Sequence, residues 1–185
     1  GEIVYLKGHS GCGKTTLLNL LTGIIKSSIS SEVKIGYPII EYIMHESKLL
    51  PWFNIENNLK VFEKLNRHNI DKKKFLNYCN NFSLNSGITK LSPKELSLGM
   101  RQRIEIAISL ASSPDLLVLD EGLSGIDLKN KEKVSAKIFE FLKTNNSTLI
   151  GTAHQISDVL RLANRILIME NGEIIDEIKI HTPIE

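Results

Sequence analysis

Eight residues, Gly8-His9-Ser10-Gly11-Cys12-Gly13-Lys14-Thr15, restrict what this chain can fold into more than any other feature. They satisfy the pattern G-x-x-x-x-G-K-[ST] in full. Before them runs a short β-prone stretch, Ile3-Val4-Tyr5-Leu6, and from Lys14 to Leu21 the apolar spacing turns helical. A strand that feeds a glycine loop and then a helix is a cradle for a polyphosphate. The glycines let backbone N–H groups turn inward, and the helix N-terminus adds partial positive charge. Lys14 reaches the terminal phosphates, the Thr15 hydroxyl can ligate Mg²⁺, and Thr16 completes the loop's mouth. The loop is built for a nucleoside triphosphate.

The rest of the chain supports an α/β fold. Leu116-Leu117-Val118-Leu119, Thr148 to Thr152 and Arg165 to Met169 are continuous apolar runs, as expected of strands covered by helices on both faces. Met100, Ile104, Ala107, Ile108 and Ala111 form one helical stripe, and Val134, Ile138, Phe141 and Leu142 another. The stretch 46–98 lacks a strong strand. In it Asn54 and Asp71 are placed to cap helices, and Ser92-Pro93-Lys94-Glu95 has the capping-box pattern. Asn171-Gly172 reads as a hairpin turn. The expectation is therefore one domain over 1–185: a P-loop NTPase core, mainly parallel sheet flanked by helices, with 46–98 as a helical insert subdomain.

Composition narrows the function classes. Hydrophobic residues make up 42% and charged residues 24% of 185, so the chain can bury a core without staples. A net charge of +2 gives no field that would make a nucleic acid the default partner. No apolar run approaches the roughly 20 residues of a membrane span. The apolar start at Ile3 to Leu6 is too short for a signal-peptide core, which reads as a cytosolic address. The absence of an initiator methionine points to a start inside a longer chain. Cys12 and Cys79 form no CxxC or Cys/His cluster. Cys12, inside the loop and beside Lys14, is expected to be a reactive thiol, and Cys79, on an apolar stripe, an inert one.

Asp120 and Glu121 follow Leu116-Leu119 and emerge at the carboxyl end of a strand, where open α/β sheets bind ligands. Asp120 suits the shell of Mg²⁺, and Glu121 suits polarisation of an attacking water. Ser97 is placed to cap the helix that follows, and can be either a cap alone or part of a second phosphate-binding helix end. His154 lies at another strand's carboxyl edge.

In order, Gly8–Thr15, Leu96-Ser97-Leu98-Gly99-Met100-Arg101-Gln102-Arg103, Leu116–Glu121, Ser124-Gly125-Ile126-Asp127 and His154 resemble the ATP-binding cassette (ABC) ATPases over nearly the whole chain. They look like that family's Walker A loop, signature, Walker B strand, D-loop and switch histidine. Leu49-Leu50-Pro51-Trp52 is similar to the bacterial nitrate, sulfonate and taurine importer branch. The resemblance implies an ATP-hydrolysing transporter subunit that pairs head to tail with a second ABC ATPase subunit, a copy of itself or a different chain, sandwiching ATP so that Ser97 and Gly99 act on the partner's nucleotide. It also implies integral membrane permease subunits docking near the insert, with Leu50, Trp52 and Phe53 at the dock, and a peripheral place on the cytoplasmic face of the membrane.

The chain departs from the family pattern at four points. His45 stands at the usual glutamine, Leu98 at the first signature glycine and Gly122 at a proline, and the adenine-stacking aromatic usually lies upstream of Gly8. His45 and Leu98 motivate a rival reading, a regulatory ATP-binding subunit with slow turnover. A soluble, non-transport ABC protein is another.

Overall fold

The computed structural model describes residues 1–26, 36–44, 46–66, 69–152 and 163–180. Strand β1 (Ile3–Lys7) runs into the glycine loop and helix α1 (Lys14–Leu21). Strand β2 (Ile40–Ile43) follows, then helices α2 (Ile55–Asn66) and α3 (Lys72–Asn81), two short 3₁₀ turns, and helix α4 (Leu98–Ala111). Strand β3 (Leu116–Asp120), helix α5 (Leu128–Asn145), strand β4 (Thr148–Thr152) and the hairpin β5 (Arg165–Glu170) and β6 (Glu173–Lys179) complete it.

The sheet order is β2-β3-β4-β1-β5-β6, parallel except for β6. Because β1, β4 and β3 are parallel neighbours, their carboxyl ends meet at one edge. Leu6 pairs with Thr152, and Thr152 pairs with Asp120. That register places the glycine loop and the acidic pair beside each other. The α/β architecture expected from the apolar runs is what the chain adopts.

The caps act where the sequence placed them. Asn54 Oδ1 accepts from the Asn57 amide, and Asp71 Oδ1 from the amides of Lys73 and Lys74. Asn171 (φ 48°) and Gly172 (φ 84°) form the left-handed turn of the β5–β6 hairpin. Two details differ. The capping box at Ser92 closes only a three-residue 3₁₀ turn, Pro93–Glu95, before α4 starts afresh at its own cap, Ser97. Helix α4 is also not a one-sided stripe. Gln102 through Ala111 are all buried, because α3, α5 and β2 pack around the helix.

A buried cluster on this side of the sheet runs from Phe75, Phe82 and Ile88 through Ile104 and Ile106 to Leu117, Ile138 and Phe141. The opposite face, under α1, holds a smaller cluster of Leu6, Cys12, Leu18, Tyr42, Val118 and Met169. The glycine loop lies against that second cluster.

Candidate nucleotide site

Two glycines give the loop its shape. Gly11 (φ 81°) and Gly13 (φ 104°) sit in the left-handed region that a side chain disfavours. Gly8 is required for a different reason: a Cβ there would lie 2.4 Å from the Met169 carbonyl oxygen and 2.5 Å from Cys12 Sγ. Gly13 occupies the cap position of α1 without a side-chain cap, so the first amides of the helix remain available to an anion. Lys14 Nζ donates to the carbonyls of Gly8 (2.9 Å) and His9 (3.0 Å), which arches its side chain over the loop. His9, Ser10, Gly11, Thr15 and Thr16 are exposed at the mouth. The hairpin turn steadies the loop from behind, the Gly172 amide donating to the Cys12 carbonyl at 2.9 Å.

Cys12 is not the accessible thiol expected from its place in the loop. It is 1% exposed and packs with Leu6, Leu18 and Met169. The backbone of the loop faces outward while this side chain turns under it toward the sheet. Burial pushes the Cys79 thiol up to about 12, in keeping with an inert core residue.

Asp120 connects loop and sheet. Thr15 Oγ1 donates to its Oδ2 at 2.6 Å, the Tyr42 hydroxyl donates to the same oxygen at 3.3 Å, and Thr152 Oγ1 donates to Oδ1 at 2.8 Å. The carboxylate is thus buried but encircled by hydroxyls. Burial, with Asp120 beside it, pushes the Tyr42 phenol well above its ordinary range and keeps it a donor. The Glu121 amide donates to Thr152 Oγ1 at 3.0 Å, which holds Glu121 at φ 55°. For a residue with a side chain that conformation costs of order 1 kcal/mol and turns the chain sharply at the strand end.

Tyr42 and Thr152 were not among the residues that the sequence singles out. The only sequence signal for either is position: Thr152 ends an apolar run whose neighbours in the sheet end in the loop and the acidic pair. His45 and His154 lie outside the described residues.

The remaining predicted residues form a second group. Ser97 Oγ accepts from the Met100 amide at 3.2 Å, so its capping role holds. Gly99 packs against the segment after β3, where an added Cβ would meet the Gly125 carbonyl oxygen at 2.8 Å. Gln102 Oε1 accepts the Gly125 amide at 3.0 Å, and Arg103 Nε donates to the Gly99 carbonyl at 3.1 Å. Leu98 leans over Gly125, so it meets the same segment as well as being half exposed. Asp127 caps α5, accepting from the Asn130 amide and side chain, and those donors hold its carboxyl below the usual range. Gly122 has no room for a larger residue as the chain stands, since a Cβ would sit 2.9 Å from Ile43 Cγ2.

A groove of about 310 Å³ opens between the edge strand β2 and α2, lined by Lys48, Leu50, Phe62, Leu65, Glu105 and Ile108 among others. Leu65 in its wall is 69% exposed, and Trp52, two residues after Leu50, is 70% exposed. Glu105 accepts from the Ser47 hydroxyl and from the Lys48 amide. Burial raises the Glu105 carboxyl and lowers the Lys48 ammonium. No described helix is long and apolar enough to cross a membrane.

Residues 1–124 match the family model of the ABC transporter. The chain is 31% identical over 181 residues to the nitrate import ATP-binding protein NrtD of Synechococcus elongatus, covering 93% of this chain and 66% of that protein. It is 33% identical over 169 residues to the aliphatic sulfonates import ATP-binding protein SsuB 2 of Pseudomonas syringae pv. tomato, covering 91% of this chain and 71% of that protein. The chain therefore spans about two thirds of the length of these relatives. It shares its fold with the ATP-binding cassette MJ0796, solved as a dimer in a post-hydrolysis state bound to ADP and Pi (TM-score 0.83, 23% identity, 98% of this chain and 86% of that one).

Proposed function

The chain belongs to the ABC transporter family, and we propose that it is the ATP-binding and ATP-hydrolysing subunit of an importer, working as one of two copies beneath integral membrane permease subunits. The observation that carries the reading is the 2.6 Å hydrogen bond from Thr15 to Asp120, which joins the phosphate loop to the acidic strand end. The names of the relatives support import, and the dimeric cassette of the same fold supports pairing.

Thr15 and Asp120 offer two hard oxygen donors beside the phosphate loop, a set that suits Mg²⁺, which keeps most of its shell for water and phosphate. Bound there, the ion would neutralise charge on the terminal phosphates. The chain's own residues do the rest. The amides of the loop and of α1 orient the triphosphate, and Lys14 exchanges its loop carbonyls for phosphate oxygens. Glu121, fixed by Thr152, accepts a hydrogen bond from the attacking water and orients it toward the terminal phosphorus. Ser97 and Gly99, at the start of α4, are directed to the nucleotide of the second copy, with Asp127 and its segment relaying between them. His45 and His154 take the roles of water-positioning and phosphate-sensing residues.

The groove lined by Leu50, Phe62 and Leu65 is the place for a permease segment, since its walls are mostly apolar and Leu65 and, nearby in sequence, Trp52 are exposed. Docking there puts the subunit at the cytoplasmic face of the membrane. Glu121→Gln tests the chemistry: ATP binding should persist while turnover falls by at least about 100-fold, because the amide keeps the shape and loses the charge. Turnover within a few-fold of wild type would remove Glu121 from that role. Lys14→Ala should instead weaken nucleotide binding itself.

A further inference from the structure

Tyr42 stands between the groove and the acidic strand end. It lies on the edge strand β2, paired with Val118 of β3, and its ring packs in the cluster under α1 with Leu6, Leu18 and Val118. At one end its hydroxyl reaches Asp120 Oδ2 at 3.3 Å. At the other, the Lys48 ammonium sits 5.2 Å from the ring centroid and donates to the Tyr42 carbonyl oxygen. Lys48 in turn lines the groove, and its amide is tied to Glu105 of α4 at 3.0 Å. A cation over a ring and a hydrogen bond to the same residue's backbone fix both the ring and the strand that carries it.

The hydroxyls around Asp120 are not equivalent. Thr152 is committed to Oδ1, whereas Thr15 and Tyr42 share Oδ2. If the Thr15 hydroxyl turns to a cation, Tyr42 is the hydroxyl left on Oδ2 to hold the plane of the carboxylate. Outer partners of this kind commonly alter metal affinity or activity by about 10- to 100-fold, and a 3.3 Å bond belongs at or below the low end.

We propose that Tyr42 is a positioning residue for Asp120, and that Lys48 holds Tyr42 in place, so that the lining of the groove sets how tightly the nucleotide site takes a divalent cation. The proposal rests on the nucleotide reading above and adds to it a route from the groove to the carboxylate. Its elements are contiguous: Glu105, Lys48, Tyr42 and Asp120 touch in sequence from α4 to the loop. None of them is exchanged for another on binding; each only fixes the next.

The test uses Tyr42→Phe, which removes the hydroxyl and keeps the ring, and Lys48→Met, which keeps the stem and removes the charge. ADP binding is measured in EDTA, and Mn²⁺ is then titrated into the ADP complex with bound cation read by electron paramagnetic resonance. Tyr42→Phe should leave ADP affinity in EDTA essentially unchanged and lower the melting temperature only modestly, the lost bond being long at 3.3 Å, while raising the Mn²⁺ midpoint about 3- to 10-fold. Lys48→Met should raise it less, and the double variant should add little to Tyr42→Phe, because the two act on one path. An unchanged midpoint in Tyr42→Phe with normal ADP binding overturns the proposal alone. A full additive effect of Lys48→Met overturns the role given to Lys48. A wild-type chain that takes up no ADP overturns the nucleotide reading and the proposal with it.

Discussion

Thr152 donates its hydroxyl to Asp120 Oδ1 at 2.8 Å and with the same oxygen accepts the amide of the next residue, Glu121, at 3.0 Å. One side chain from β4 therefore fixes both members of the acidic pair on β3. Thr152→Val keeps the volume and removes both bonds, leaving a buried carboxylate one donor short and the Glu121 amide without that acceptor. The expected cost is about 1–3 kcal/mol of stability with a drop in turnover of about 10- to 100-fold. Thr152→Ser should recover most of both. Melting and steady-state hydrolysis of the three proteins decide it, and a valine variant as active as wild type would mean that the pair is held by other means.

Gly99 and Gly125 pack backbone to backbone where the start of α4 meets the segment that leads to α5. A methyl at Gly99 would lie 2.8 Å from the Gly125 carbonyl oxygen, a backbone atom that cannot rotate away. Gly99→Ala should push the two segments apart at a cost of about 1–3 kcal/mol. On the proposed function, it should suppress ATP-dependent pairing while nucleotide affinity of the single chain stays near normal. Analytical ultracentrifugation with ATP, beside equilibrium binding, separates the two effects.

Much of this was legible from local patterns. The glycine loop, the caps at Asn54, Asp71 and Ser97, and the Asn171-Gly172 turn rest on neighbours within a few residues, and local chemistry dictates them. Contacts across the sheet were not. Strand β2 is short, carries Glu41 in its run, and is stabilised by β3 and by Ser109 of α4 and Ser112 at that helix's C-terminal cap, which donate to that carboxylate. Tyr42 and Thr152 become site residues only once strand order puts β2, β3 and β4 side by side. Cys12 was misread because its loop position speaks for the backbone, whereas the direction of its side chain depends on how Gly8 and Met169 close beneath it.

The glycine after the acidic pair has a packing cause that can be measured. A Cβ at Gly122 would sit 2.9 Å from Ile43 Cγ2, so Gly122→Ala must displace Ile43 in the core. It should cost about 1–3 kcal/mol. In an Ile43→Leu background, which lacks the Cγ2 methyl, the same change should cost measurably less. Denaturant titration of the four proteins gives the coupling, and strict additivity would mean that Ile43 is not what excludes a side chain there.

Glu105 makes stability depend on pH. Its carboxyl is raised mainly by burial, against the lowering effects of Ser47, the Leu49 and Lys48 amides, and the Lys48 charge. A carboxyl raised in the folded state binds its proton more tightly folded than unfolded, so its contribution favours folding at low pH and is lost as pH rises through the folded value. Glu105→Gln stays neutral throughout. The variant's melting temperature relative to wild type should therefore be more favourable at pH 7.5 than at pH 5. A difference that does not change with pH, or that changes the other way, would show that the Lys48 charge and the amide donors outweigh burial.

The two thiols should behave alike despite their different places in the chain. Cys79, on α3, lies in the large buried cluster, where burial pushes it up to about 12, and Cys12 is 1% exposed beneath the loop with Gly8 closed against its sulfur. A thiolate must form and be reached before it can be alkylated, and neither condition is met at Cys79 while access is denied at Cys12. Iodoacetamide at pH 8 should label both in the folded chain at least about tenfold more slowly than in guanidinium, through local opening. MgATP should slow Cys12 further by holding the loop closed over it, and leave Cys79 unchanged. Peptide mapping over a time course reads both rates. Rapid labelling of Cys12 in the folded chain would mean that the loop opens far enough to turn this side chain outward, and that its burial is not a fixed feature of the phosphate cradle.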